Sequence, residues 1–189
     1  MGENERGVPA LHGAVVVIAG VMAAGKSTVA QALAERLPAA AHVRGDTFRR
    51  MIVSGRVDPD PTAGPEAVAQ LRLRHRLSAA VADGYAEAGL TAVLQDVVLG
   101  DELPYLVGLV RTRPLYVVVL APSPDAVADR EAARAKTAYA EAGGWTVAAL
   151  DGWLRERTPR IGLWLDTSAL DPAGTVDAVL AGLATARVA

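Results

Sequence analysis

The sequence predicts an α/β protein in which one parallel sheet is covered by helices on both faces. Three observations lead there. Five short runs of branched apolar residues recur along the 189 residues, and each is followed by a helical pattern. The runs are nearly continuously apolar, as strands buried on both faces are. The first run opens into Gly20-Val21-Met22-Ala23-Ala24-Gly25-Lys26-Ser27, which fits G-x-x-x-x-G-K-[ST] at every fixed position.

Ala14 to Ala19 is the first strand. Val29, Leu33 and Leu37 recur at i, i+4, i+8 before Pro38 and define a helix after the glycine loop. Ala40 to Arg44 is the second strand, ending at Gly45-Asp46. Thr47 to Val53 reads as a helix that Asp46 or Thr47 would cap. Ser54 to Gly64, with its prolines and glycines, is a loop. Pro65 takes the first helical position of a long helix to about Ala88. Thr91 to Gln95 is the third strand and ends in Asp96, Asp101 to Arg111 is a helix, and Leu115 to Leu120 is the fourth strand. Pro122-Ser123-Pro124-Asp125 is a helix start. Thr146 to Arg157 is amphipathic and helical, Ile161 to Leu165 is the fifth strand, and Asp171-Pro172 starts the last helix. The polar stretch 1–12 is read as a flexible tail and 13–189 as one domain, with no linker or internal repeat.

The glycine loop carries the first chemistry. Gly20 and Gly25 let backbone N–H groups approach phosphate oxygens where a Cβ would clash. Lys26 offers a mobile ammonium to the β- and γ-phosphates, and the Ser27 hydroxyl is a ligand for Mg²⁺. The helix that follows adds its positive end. Candidate nucleotide-binding residues are Gly20, Ala23, Ala24, Gly25, Lys26, Ser27 and Thr28. Lysine occurs only at Lys26 and Lys136 in an arginine-rich chain, which marks Lys26 as chosen for its place.

Other residues are weaker signals. Asp96, after four residues of strand, resembles a Walker B carboxylate that holds Mg²⁺ or its water. Arg130 and Arg134, four apart, share a helical face as a phosphate clamp requires. Arg72, Arg74, Arg76 and His75 form a basic cluster, and a solvated face is preferred over substrate contact. His75 has no partner at metal-ligand spacing. Asp46, at a strand's C-terminal edge, is either a helix cap or a base. No cysteine competes for that role, and the three histidines lie in the tail (His12), in a strand (His42) and in the basic cluster (His75).

Composition excludes several classes. A net charge of −2 provides no general attraction for nucleic acid or an anionic membrane. The tail has no apolar core of a signal peptide, Arg6 stands where a myristoylation signal wants Ser or Thr, and no apolar run reaches spanning length. The lack of cysteine suits a reducing, cytoplasmic setting.

The loop at Gly20 to Ser27, the stretch Gly45-Asp46-Thr47-Phe48-Arg49-Arg50 and Arg130-Glu131-Ala132-Ala133-Arg134 together resemble P-loop small-molecule kinases of the adenylate-kinase-like group. GDTFRR resembles the zeta-toxin kinases, in which the Asp is the proposed base. Gly64-Pro65-Glu66, Gln95-Asp96-Val97-Val98-Leu99-Gly100 and REAAR resemble chloramphenicol phosphotransferase in the same order, and Asp166-Thr167-Ser168 resembles the group's adenine-side loop. The resemblance implies a three-layer P-loop kinase fold with a five-stranded sheet in the order 2-3-1-4-5. It implies ATP and Mg²⁺, transfer of the γ-phosphoryl group to a small-molecule hydroxyl, Asp46 as base, Lys26, Arg130 and Arg134 at the transferring group, Thr167 beside the adenine, and a lid at about 122–144. Gln95 stands where chloramphenicol phosphotransferase has an acid, and Met51 to Ala63 matches neither family. The reaction type therefore carries over and the acceptor does not; an antibiotic or a sugar nucleotide is a candidate. Two other readings stay open. One is an ATP-bound switch, for which no catalytic Gln is in evidence. The other is a nucleic-acid end kinase, for which a chain with one Phe lacks a stacking surface.

Overall fold

The computed structural model describes residues 11–60, 64–133 and 144–189. Its five strands are β1 (Val15–Gly20), β2 (Ala40–Arg44), β3 (Thr91–Gln95), β4 (Leu115–Leu120) and β5 (Leu163–Leu165). All pair in parallel, in the order β2-β3-β1-β4-β5, as the resemblance implied. The most apolar strand takes the centre. Val15 to Ala19 are fully buried, and β1 is flanked by β3 (Val16 beside Val93) and β4 (Val17 beside Val117). β5 is shorter than the expected 161–165 because Gly162, at φ 72°, interrupts the extended backbone before it.

The helices are α1 (Lys26–Arg36), α2 (Gly45–Arg50), α3 (Pro65–Glu87), α4 (Glu102–Leu109), α5 (Pro124–Ala132), α6 (Val147–Gly152), α7 (Pro172–Ala181) and α8 (Leu183–Ala186). They cover both faces of the sheet, α1 packing with α7 and α3 with α4. Their starts follow local chemistry. Pro65 opens α3, the Ser123 hydroxyl accepts from Ala126 N–H at 3.2 Å, and Asp171 accepts from Gly174 N–H at 2.7 Å.

Three expectations are corrected. The helix after β2 begins at Gly45, with Arg44 at its N-cap, so neither Asp46 nor Thr47 caps it; Asp46 lies in the first turn. The segment expected as one helix from Thr146 to Arg157 is α6 followed by a π-helical turn, Trp153–Arg157. The chain ends in two helices rather than one, since α8 follows α7 after Gly182. Among the described residues, no helix is long and apolar enough to cross a membrane. Because all strands run the same way, the loops after β1, β2, β3, β4 and β5 share one edge. Ligands of open α/β sheets bind at that edge.

Candidate active site

The loop after β1 is built by backbone constraints. Gly20 has φ 146°, and a Cβ there would lie 2.6 Å from the Leu120 carbonyl oxygen of the neighbouring strand. Gly25 is the N-cap of α1, with no side-chain cap and no acidic residue in the first turn, so the first N–H groups face the loop. Lys26 is buried, and its Nζ donates to the Val21 carbonyl at 2.6 Å, across the loop. Ser27 is the next residue of the same turn.

Two carboxylates line the same cavity as this loop, Asp46 from the first turn of α2 and Asp96 directly after β3. Asp96 is 3% exposed and accepts hydrogen bonds from Val97 N–H at 2.7 Å and Arg74 Nε at 2.6 Å, while a second Arg74 nitrogen meets its other oxygen. Gly45 makes room for this group: a Cβ on it would occupy the place of the Asp96 carboxylate. Asp46 is half-exposed, with Oδ2 3.1 Å from Arg50 Nη2. Its Oδ1 is buried and has no hydrogen-bond donor among the described residues. The Arg74 guanidinium is pushed down to about 10, first by burial, with Asp46 opposing the shift.

These groups line one cavity of about 560 Å³, together with Met22, Arg49, Asp58 and the tryptophans Trp145 and Trp153. Arg49 Nη1 donates to Asp58 at 2.9 Å, and Trp145 Nε1 donates to the Pro59 carbonyl at 3.1 Å, so the 54–60 loop is tied into the wall. Glu102 is held by Arg72 Nε at 3.1 Å and stands 3.3 Å from Nδ1 of the buried His75. His75 is pushed down to about 4 by burial and then by Arg74 and Arg72, so it is neutral at neutral pH.

The preference for a solvated basic face on α3 is corrected for two of its members. Arg74 and His75 turn inward, while Arg72 and Arg76 stay outside. Arg130 is not part of the cavity lining but reaches the phosphate loop. Its Nη2 donates to the Thr167 carbonyl at 2.5 Å and its Nη1 to the Ala24 carbonyl at 3.3 Å, joining the phosphate loop to the loop after β5. Thr167 is buried, and its hydroxyl has no hydrogen-bond partner among the described residues. Beside it, Asp166 is held below the usual carboxylate range by the Ser168 hydroxyl and then the Ser168 N–H. Arg134, and with it much of the expected lid, lies outside the described residues.

Sequence reasoning missed Arg74, Arg49, Gly45, Trp145 and Trp153. The signal for Arg74 was present: Ala67, Ser78, Ala82 and Ala86 trace the buried face of α3, and Arg74 falls on it. Two of the three tryptophans falling just before and within one amphipathic segment, Thr146 to Arg157, was the other signal.

Residues 15–159, most of the chain including the loop, both carboxylates and Trp145 and Trp153, match the model of the AAA domain family. The chain belongs to that family. No curated protein matches it. Solved structures similar to this AAA domain protein include small-molecule kinases. A sugar kinase from Janibacter sp. HTCC2649, in unliganded form, is 18% identical over 91% of this chain and 95% of its own, with a TM-score of 0.66. The APS kinase of Mycobacterium tuberculosis, in complex with AMPPNP and APS, is 18% identical over 92% and 98%, with a TM-score of 0.64. A gluconokinase from Sinorhizobium meliloti 1021 is 20% identical over 90% and 91%, with a TM-score of 0.61. At these identities the likeness is one of fold: the five-stranded parallel sheet in the order 2-3-1-4-5, with helices on both faces, matches the P-loop kinase fold.

Proposed function

We propose that the protein is an ATP-dependent kinase that moves the γ-phosphoryl group to a hydroxyl of a small molecule. One observation carries this reading: Lys26, Ser27 and Asp46 line one cavity of about 560 Å³ whose wall runs on from the phosphate loop to Asp58, Leu71, Trp145 and Trp153. A nucleotide switch has no need of that further wall. The kinase neighbours and the sequence resemblance to chloramphenicol phosphotransferase and the zeta-toxin kinases support the same reading.

The residues divide the work by position. Backbone N–H groups of Ala23 to Thr28 and the Lys26 ammonium bind the phosphates. Ser27 and Asp96 are hard oxygen donors in one cavity and fit a Mg²⁺ that keeps most of its waters. Both Asp96 oxygens already accept hydrogen bonds, so Asp96 would hold the ion through a water. The metal supplies charge neutralisation at the phosphates. The Asp46 carboxylate, which lines the cavity, accepts the acceptor's hydroxyl proton as the acceptor oxygen forms its bond to the γ-phosphorus. The bond from that phosphorus to the bridging oxygen breaks, and ADP leaves. Arg130 braces the loop from behind through Ala24 and Thr167. Arg134, four residues on in sequence, is the candidate for stabilising the transferring group, and Thr167 for the adenine side.

The test is a screen of hydroxyl-bearing metabolites and antibiotics for acceptor-stimulated ADP release, with product mass determined. A gain of one phosphoryl group on an acceptor is expected. ADP release that no acceptor stimulates would instead fit a slow ATPase switch. Steeply salt-dependent oligonucleotide binding, with phosphate appearing on an oligonucleotide end, would fit a nucleic-acid kinase.

A further inference from the structure

On the reading that the protein is a kinase, the wall of the cavity beyond the phosphate loop selects a class of acceptor. Trp145 and Trp153 meet edge to face, with centroids 5.5 Å apart and planes at 78°. Both are fixed. Trp145 Nε1 donates to the Pro59 carbonyl at 3.1 Å. The π-helical turn that carries Trp153 is anchored by the Thr158 hydroxyl, which donates to the Trp153 carbonyl at 3.2 Å and accepts from Gly100 N–H at 2.7 Å. Gly100 lets the indole sit close, since a Cβ there would lie 2.5 Å from Trp153 Nε1. Trp153 lines the cavity and is 40% exposed, with the Arg157 guanidinium carbon 5.4 Å from its ring centroid. Val68 and Leu71 of α3 also line the cavity.

The charges point the same way. Among the described residues, the cations lining the cavity apart from Lys26 are Arg49 and Arg74, and each is ion-paired, Arg49 with Asp58 at 2.9 Å and Arg74 with Asp96. Asp60 and Glu102, the latter held by Arg72 Nε at 3.1 Å, add carboxylates to the lining that are themselves partnered. An acceptor bearing a carboxylate or phosphate would have to break one of these pairs and then sit among the acids left behind. We propose that the acceptor is an uncharged or cationic hydroxyl compound with an aromatic or apolar face that rests on Trp145 and Trp153. Of the two candidate acceptors, a sugar nucleotide, with its diphosphate, fits this wall worse.

Intrinsic tryptophan emission tests this in a Trp164→Phe background, where only Trp145 and Trp153 report. Phenyl glucoside and phenyl 2-amino-2-deoxyglucoside are titrated beside gluconate and glucose 6-phosphate, with ADP release followed in parallel. The phenyl compounds are expected to shift the emission at half-saturating concentrations at least about 10-fold below the anions. Trp153→Ala and Trp145→Ala should each raise their half-saturation in ADP release about 10-fold, leaving that for ATP unchanged, while Trp153→Phe keeps the wild-type value. Equal or tighter binding of the anions, indifference to the alanine variants, or no emission shift with any compound overturns the proposal. Phenyl compounds that bind through the tryptophans without stimulating ADP release support the wall and break the kinase reading instead.

Discussion

The two ends of the cavity are built by different rules. At the phosphate end, one uninterrupted stretch of nine residues, Gly20 to Thr28, makes the site. Its residue types are imposed by backbone geometry: Gly20 must leave space under the Leu120 carbonyl, and Gly25 must hand its turn to α1 without a competing side chain. At the far end, side chains arrive from separate segments. Arg49 comes from α2, Asp58 from a loop, Arg74 from α3, and Trp153 from a π-helical turn. No local geometry dictates those types; only the molecule they meet can. A phosphate site is therefore readable from spacing, whereas an acceptor site is readable only once the chain is folded.

Lys26→Ala should break the phosphate end alone and have the largest effect, a loss of about 10²- to 10³-fold in turnover. Calorimetry should show ATP weakened far more than adenosine, because only the phosphates lose a partner. Equal weakening of both would erase the contrast between the two ends. Arg74→Met should act at the far end and on folding. It leaves the buried Asp96 carboxylate without its counter-charge, a cost of about 3–5 kcal/mol that urea denaturation would show as a lowered midpoint. Arg74→Lys should recover part of it. A loss below about 1 kcal/mol would mean that Asp96 is effectively solvated.

His75 has the smallest expected effect. Its pKa is pushed from 6.5 down to about 4 in the folded chain. The unfolded chain therefore binds the extra proton first, and stability should fall as pH drops from about 6.5 towards 4, by up to about 3 kcal/mol. Urea titrations of wild type and His75→Gln across that window should differ in slope, with the variant flatter. Parallel slopes would mean that Glu102, 3.3 Å away, offsets the desolvation.

Most of the fold was legible because its strands are apolar runs with clear ends. β2, β3 and β4 have the bounds expected from the sequence, and Pro65, Ser123 and Asp171 open helices by ordinary capping chemistry. The break at Gly162 and the π turn at Trp153 were not legible, since both answer to tertiary packing: the backbone of β4 beside Gly162, and Thr158 and Gly100 around Trp153. The same holds for Arg74. In sequence it belongs to a run of arginines that looks solvated, and its inward turn depends on Asp96, twenty-two residues away, needing a counter-charge. Arg130 shows another limit of the sequence: a helical face shared with Arg134 says nothing of the two backbone carbonyls, of Ala24 and Thr167, to which Arg130 donates.

The account turns on Asp46, which is not the cap of its helix and holds one buried oxygen with no donor among the described residues. The most direct measurement is single-turnover phosphoryl transfer by Asp46→Asn, with any acceptor identified by the screen, alongside ATP affinity and thermal stability. Asn preserves shape and hydrogen bonding but cannot take the proton. The account predicts transfer slowed by about 10²- to 10⁴-fold, with ATP affinity and melting temperature near wild type. Wild-type transfer in Asp46→Asn would contradict it and move the role of base to Asp96.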